Sequence, residues 1–109
     1  MARDKGLEAL LNDELRSVHG ITEKGMFGGW VWLLNGNLLC GARIEGMLVR
    51  LGKDNVAWAL QTPGITPMYS GPRRMQGWVL ADSQAYGDDT LRRKLIERAL
   101  EFVRTLPEK

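Results

Sequence analysis

The sequence predicts an α+β fold of two layers, an antiparallel sheet flanked by N- and C-terminal helices. Three observations predict it. Apolar residues recur at helical spacing near both ends of the chain. Short apolar runs broken by glycine-bearing turns fill the middle, and the strongest turn signal is Asn35-Gly36. The 109-residue length suits one domain, residues 1–109, with no repeat, linker or low-complexity tract. The expected order is α-β-β-β-α-β-α, a β-meander plus at least one further strand.

The first element is a helix because Leu7, Leu10, Leu11, Leu15 and Val18 fall three and four residues apart. Asp4 caps its start and His19-Gly20 end it. Gly25 to Gly29 then forms a glycine-rich loop into the strand Trp30-Val-Trp-Leu-Leu34. A type I′ turn at Asn35-Gly36 sets Leu34 opposite Asn37, Trp32 opposite Leu39 and Trp30 opposite Gly41. Leu38 to Ile44 is the second strand, Glu45-Gly46 a turn and Met47 to Leu51 the third strand. This meander is apolar on both faces; helices are expected on one and a second subunit on the other.

Asp54 is read as the cap of a short helix, Asn55 to Leu60, which Pro63-Gly64 ends. A stretch punctuated by proline and glycine, Ile65 to Arg74, precedes a fourth strand, Met75 to Ala81. Asp88-Asp89 cap the last helix. Leu91, Leu95, Ala99, Phe102, Val103 and Leu106 make its buried stripe, and Pro107 stops it.

Composition excludes more than it names. With 44% apolar and 26% charged residues the chain is neither disordered nor fibrous. A net charge of +2 lacks the basic excess of a dedicated nucleic-acid binder. Cys40 is the sole cysteine, so an intrachain disulfide is impossible and a Cys/His zinc cluster lacks ligands. No apolar run is long enough for a signal peptide or a membrane span, and the expected setting is cytoplasmic.

Residues that carry chemistry are few. His19, the one histidine, sits at a helix end, where it can meet terminal carbonyls. Cys40 lies within an apolar strand, where a thiol behaves as a small hydrophobe. No nucleotide-loop, zinc-protease or nucleophile-elbow motif is present. The expectation is therefore a protein without catalytic residues, metal or cofactor. Two features are weighed for a binding role. Met26, Phe27, Gly28 and Gly29 could expose backbone N–H groups to an anion, against the plainer reading of a tight turn. Arg50, Arg73 and Arg74, with Arg92-Arg93-Lys94, form an anion-binding face if they converge and merely solubilise if they scatter. Interleaved acidic residues favour scattering. Trp30, Trp32, Trp58 and Trp78 all fall within predicted elements beside aliphatic residues, which assigns them to a core or an interface and not to base stacking.

Met26-Phe-Gly-Gly29 entering a strand pair with an Asn-Gly turn resembles the N-terminal domain of the TfoX/Sxy family, regulators of bacterial natural competence. Gly46-Met-Leu-Val-Arg50, Gly64 to Tyr69, Met75-Gln-Gly-Trp-Val79 and the run into Leu106-Pro107 extend the resemblance over residues 5 to 107. It implies a helix-flanked antiparallel sheet of the kind grouped with YgaC and secretion-chaperone-like domains, and it brings no catalytic residues. The family's regulators continue into a C-terminal helical domain, for which this sequence has no counterpart. The expected function is a regulatory protein-interaction module, with itself as partner in a homodimer. The alternative is an anion or nucleic-acid binder using Met26 to Gly29 with Arg50, Arg73 and Arg74.

Overall fold

A computed structural model describes residues 4–26 and 28–109. In chain order the elements are α1 (Lys5–Leu15), β1 (Ile21–Met26), β2 (Gly29–Leu34), β3 (Asn37–Arg43), β4 (Gly46–Arg50), a single 3-10 turn (Lys53–Asn55), α2 (Val56–Leu60), β5 (Ile65–Ser70), β6 (Arg73–Ala81), α3 (Ser83–Tyr86) and α4 (Asp89–Val103). The strands form one six-stranded sheet in the order β1-β2-β3-β4-β6-β5, and each neighbouring pair is antiparallel. The predicted α+β class holds. The sheet is larger than expected because β1 and β5 are strands, and the element order also gains the short α3 before α4.

Local chemistry accounts for most boundaries. Asp4 caps α1 by accepting from the Leu7 N–H at 3.0 Å, and Asp88 caps α4 by accepting from the Leu91 N–H at 3.0 Å. Asn35 (φ 52°) and Gly36 (φ 85°) are both left-handed, as a type I′ turn demands. Two local expectations are corrected. Helix α1 ends at Leu15, so the exposed His19 lies in the turn after it, not at its last carbonyls. Asp54 lies inside the 3-10 turn, and α2 starts at Val56 without a side-chain cap.

The hairpin register is also corrected. Leu34 pairs with Asn37 as expected, but an irregularity between Trp32 and Leu33 sets Trp32 opposite Cys40 and Trp30 opposite Ala42. Leu39 is the extra residue of a β-bulge. Leu39 and Cys40 are thereby both buried in the same core cluster. The glycine expected opposite Trp30 faces Val31 instead.

The main core lies between one sheet face and the helices. Leu7, Leu11 and Leu15 of α1 and Leu95, Ala99 and Val103 of α4 meet Trp32, Cys40, Ala42, Met47, Val49 and Val79. Each fully buried leucine contributes about 2 kcal/mol through loss of contact with water. Trp32 is wholly buried, and its indole N–H donates to Asn12 Oδ1 at 3.1 Å. Arg92, 5% exposed, ties the helices together: it donates from Nε to Glu14 at 3.1 Å and from Nη1 to the Tyr86 carbonyl at 2.9 Å. Its Nη2 also lies 2.9 Å from Asp89 Oδ1.

A smaller apolar cluster sits on the reverse of the sheet. It joins Leu48, Met68 and Trp78, with Leu38, Met75 and Leu80 packed against them. The pleat explains the division, since successive strand residues point to opposite faces. Met47 and Val49 therefore join the helices while Leu48 between them turns away. Among the described residues every buried helix residue of apolar type belongs to the main core, and the reverse cluster is built of strand residues alone.

Candidate functional site

The Met26–Gly29 segment joins the paired strands β1 and β2. Met26 pairs with Gly29 across it, and Gly28 has φ 73°. Phe27 lies outside the described residues. A Cβ on Gly29 would collide with the Ala42 carbonyl, so glycine is required there for close backbone packing. A positive φ thus accounts for Gly28 and close packing for Gly29.

Arg50, Arg73 and Arg74 lie elsewhere. Arg50 ends β4 opposite Trp78 of β6, whereas the Met26–Gly29 turn is level with Ala42, near the other end of the neighbouring strands. β1 is one edge of the sheet and β5 the other, so the turn and the β5–β6 hairpin that carries Arg73 and Arg74 are on opposite edges. The loop and the arginines do not share a surface.

Arg73 and Arg74 share one cavity, and Arg50 lines another that has Gln76 and Trp78 in common with it. Arg74 and Lys53 line a cleft of about 410 Å³ between α2 and β6, walled by Val56, Ala57, Leu60 and Trp78. Arg73 and Arg74 line a neighbouring cavity of about 610 Å³ with Met75 and Trp78. Arg50 and Lys53 line a third, of about 520 Å³, with Asp54, Trp78 and Phe102. All three share Gln76 and Trp78, so they adjoin as one furrow along the start of β6. Four cations line it against one carboxylate, Asp54.

Arg50 is the most constrained of the four. Its Nη1 donates to the Leu38 carbonyl at 3.3 Å. Its guanidinium carbon lies 5.9 Å from the Trp78 ring centre and 5.7 Å from that of Phe102, at the outer range of cation–π attraction. Partial burial lowers its pKa, since desolvation disfavours the charged form, yet a guanidinium stays protonated at neutral pH. The ion pairs found among the described residues leave Arg50, Lys53, Arg73 and Arg74 without a carboxylate partner.

The remaining cations stay apart from the furrow. Arg92 is buried in the Glu14 network, and Arg93 Nε lies 3.7 Å from Glu14. Lys94 rests 4.3 Å above the Trp58 ring. Cys40 is buried, and desolvation drives its thiol pKa far above the ordinary range, which keeps it protonated and unreactive. No group of three or more His, Cys, Asp or Glu that could hold a metal occurs among the described residues.

Lys53, Gln76 and Phe102 are not among the site residues that the sequence suggests, and Trp78 is expected there in a core or an interface. Their one sequence signal is the aromatic residue facing an arginine across a strand pair, which is visible only once β4 is known to pair with β6. Chemically the furrow offers positive charge beside apolar and aromatic walls, an arrangement suited to binding.

A family model described as the TfoX N-terminal domain matches residues 13–103. No curated protein and no solved structure gives a significant match.

Proposed function

The chain belongs to the TfoX N-terminal domain family, and from that premise we propose that it is a non-enzymatic regulatory module that works by binding protein, first of all a second copy of itself. The observation behind this reading is the reverse sheet face, where Leu48, Met68 and Trp78 cluster with Leu38, Met75 and Leu80 without a covering helix. Leu48, Met68 and Trp78 are buried by their neighbours, and the partly exposed Leu38, Met75 and Leu80 leave apolar surface that a partner would cover.

The edges favour face-to-face association over strand addition. Edge strand β1 carries exposed Glu23 and Lys24, and edge strand β5 carries Pro67, which has no N–H to offer a new neighbour. Two copies related by a twofold axis would stack their open faces about 10 Å apart, with helices on both outer surfaces. The buried Cys40 thiol supports a non-catalytic role and suits a cytoplasmic setting; no helix among the described residues is long and apolar enough to cross a membrane.

Sedimentation equilibrium across the micromolar range tests the reading. The expected result is a dimer that the Leu38→Asp/Leu80→Asp variant converts to a folded monomer. A native protein that stays monomeric at the highest concentration removes self-association.

A further inference from the structure

We propose that the furrow beside Trp78 is a binding site for an organic phosphate bearing a flat or apolar body, of the size and chemistry of a mononucleotide. The inference goes beyond the protein-binding role: the furrow shares Met75 and Trp78 with the Leu38 and Leu80 surface, but the cations that carry the inference lie outside that cluster.

Charge is the first argument. The whole chain has a formal surplus of only +2, yet Arg50, Lys53, Arg73 and Arg74 gather along one furrow with Asp54 as its sole carboxylate. Like charges held together without acidic partners cost free energy that an anion relieves. A surplus of that size suits a phosphate ester better than a single carboxylate. The exposed Arg74 guanidinium offers a fork of N–H donors suited to phosphate oxygens, and Lys53, which lines the same cleft, adds a point charge.

Shape is the second. Cavities of about 410 and 520 Å³ fall in the usual range for small-ligand sites. Their walls are amphipathic. Val56, Ala57, Leu60 and Trp78 form the apolar side of the α2–β6 cleft, with Lys53 and Arg74 lining the same cleft. A ligand charged at one end and flat at the other satisfies both, and inorganic phosphate alone satisfies only the cations.

Rigidity is the third. The Leu51 and Gly52 N–H groups both donate to the Gly77 carbonyl, at 2.8 and 3.0 Å, which pins the furrow floor between β4 and β6. Gly52 (φ 87°) has no room for a side chain, since a Cβ would lie 2.5 Å from the Phe102 ring. The site is therefore preformed, and binding need not order it.

Isothermal titration calorimetry with AMP, ATP and pyrophosphate, on native protein and on Arg74→Gln, Arg50→Gln and Arg16→Gln variants, tests the proposal. AMP or ATP should bind at submillimolar concentration, more tightly than pyrophosphate. Arg74→Gln should weaken binding roughly tenfold or more, the worth of one charge-assisted hydrogen bond. Arg16→Gln, which changes an exposed arginine paired with Asp13, should leave it unchanged. Because Arg50 is half-buried, its variant counts only if its urea midpoint matches the native one; the exposed Arg74 carries the test regardless. Three outcomes overturn the proposal: no binding of either nucleotide at millimolar concentration, equal affinity for pyrophosphate, or loss on Arg16→Gln as large as on Arg74→Gln. Tight binding of a single-stranded oligonucleotide with no binding of AMP or ATP would also overturn it, in favour of a nucleic-acid surface.

Discussion

Cys40 shows how one buried group makes stability depend on pH. Its thiol sits in β3 between Trp32 of β2 and Val49 of β4, and burial raises its pKa. In the unfolded chain the thiol ionises near its ordinary value of about 8.5. Above that pH the folded state binds more protons than the unfolded state. The stabilising difference is whole below the unfolded pKa and declines as pH rises toward the folded pKa, by up to about 1.4 kcal/mol per pH unit. Native protein should therefore lose urea stability between pH 8.5 and 10.5, roughly the window above the free thiol pKa. Cys40→Ala should flatten that slope, whatever its cost at neutral pH from the lost sulfur. Equal slopes for the two proteins would show that the thiol does not govern the decline. Tyr86 acts in the same direction at higher pH, since burial first and its hydrogen bond to Asp4 second raise its pKa.

Among the elements, those governed by local rules were legible and those governed by distant partners were not. Asn35-Gly36 fixed its turn because positive φ at both positions is a property of the dipeptide. Asp4 and Asp88 announced α1 and α4 by the same kind of local chemistry. β1 carried no alternating signal because its central four residues are exposed, and only pairing with β2 makes it a strand. β5 was hidden by Pro67, which an edge strand tolerates. The bulge at Leu39 answers to packing across three strands, so the simple register slipped by one. The candidate site was half legible for the same reason: Arg50, Arg73 and Arg74 stood out as cations, but their convergence depends on β6 returning beside β4. Arg92 was equally opaque, read as one of three surface cations and found buried between α1, α3 and α4. Arg92→Met should lower stability by about 3 kcal/mol, because it strands the largely buried Glu14 with only the weak Arg93 contact. Glu14→Met/Arg92→Met should recover much of that loss, since no lone charge remains buried. Urea midpoints of the single and double variants decide it; a double variant as unstable as the two singles combined would assign the cost to packing alone.

At the scale of the whole molecule, the number that said least in the sequence acquires a direction. A formal charge of +2 describes a nearly neutral chain, but the sheet order carries Arg50, Arg73 and Arg74 to one end of β4 and β6, where Lys53 joins them. Among the described residues four other arginines are paired in place: Arg16 with Asp13, Arg43 with Glu45, Arg92 with Glu14 and Asp89, and Arg98 with Glu101. A charged surface meets this field and not the net charge, because screening limits each contact to about 8–10 Å at ordinary ionic strength. Two variants of identical formal charge separate the quantities. Arg73→Gln/Arg74→Gln and Arg16→Gln/Arg98→Gln each remove two cations, which takes the chain from +2 to zero. The first should leave a cation-exchange column at markedly lower salt than the native protein. The second removes only cations already paired with carboxylates and should shift elution less. Both pairs sit at least partly in solvent, so neither should change the fold. Equal shifts for the two variants would mean that the arginines beside Trp78 act as dispersed surface charge, and the case for a concentrated anion-attracting face would fall with that result.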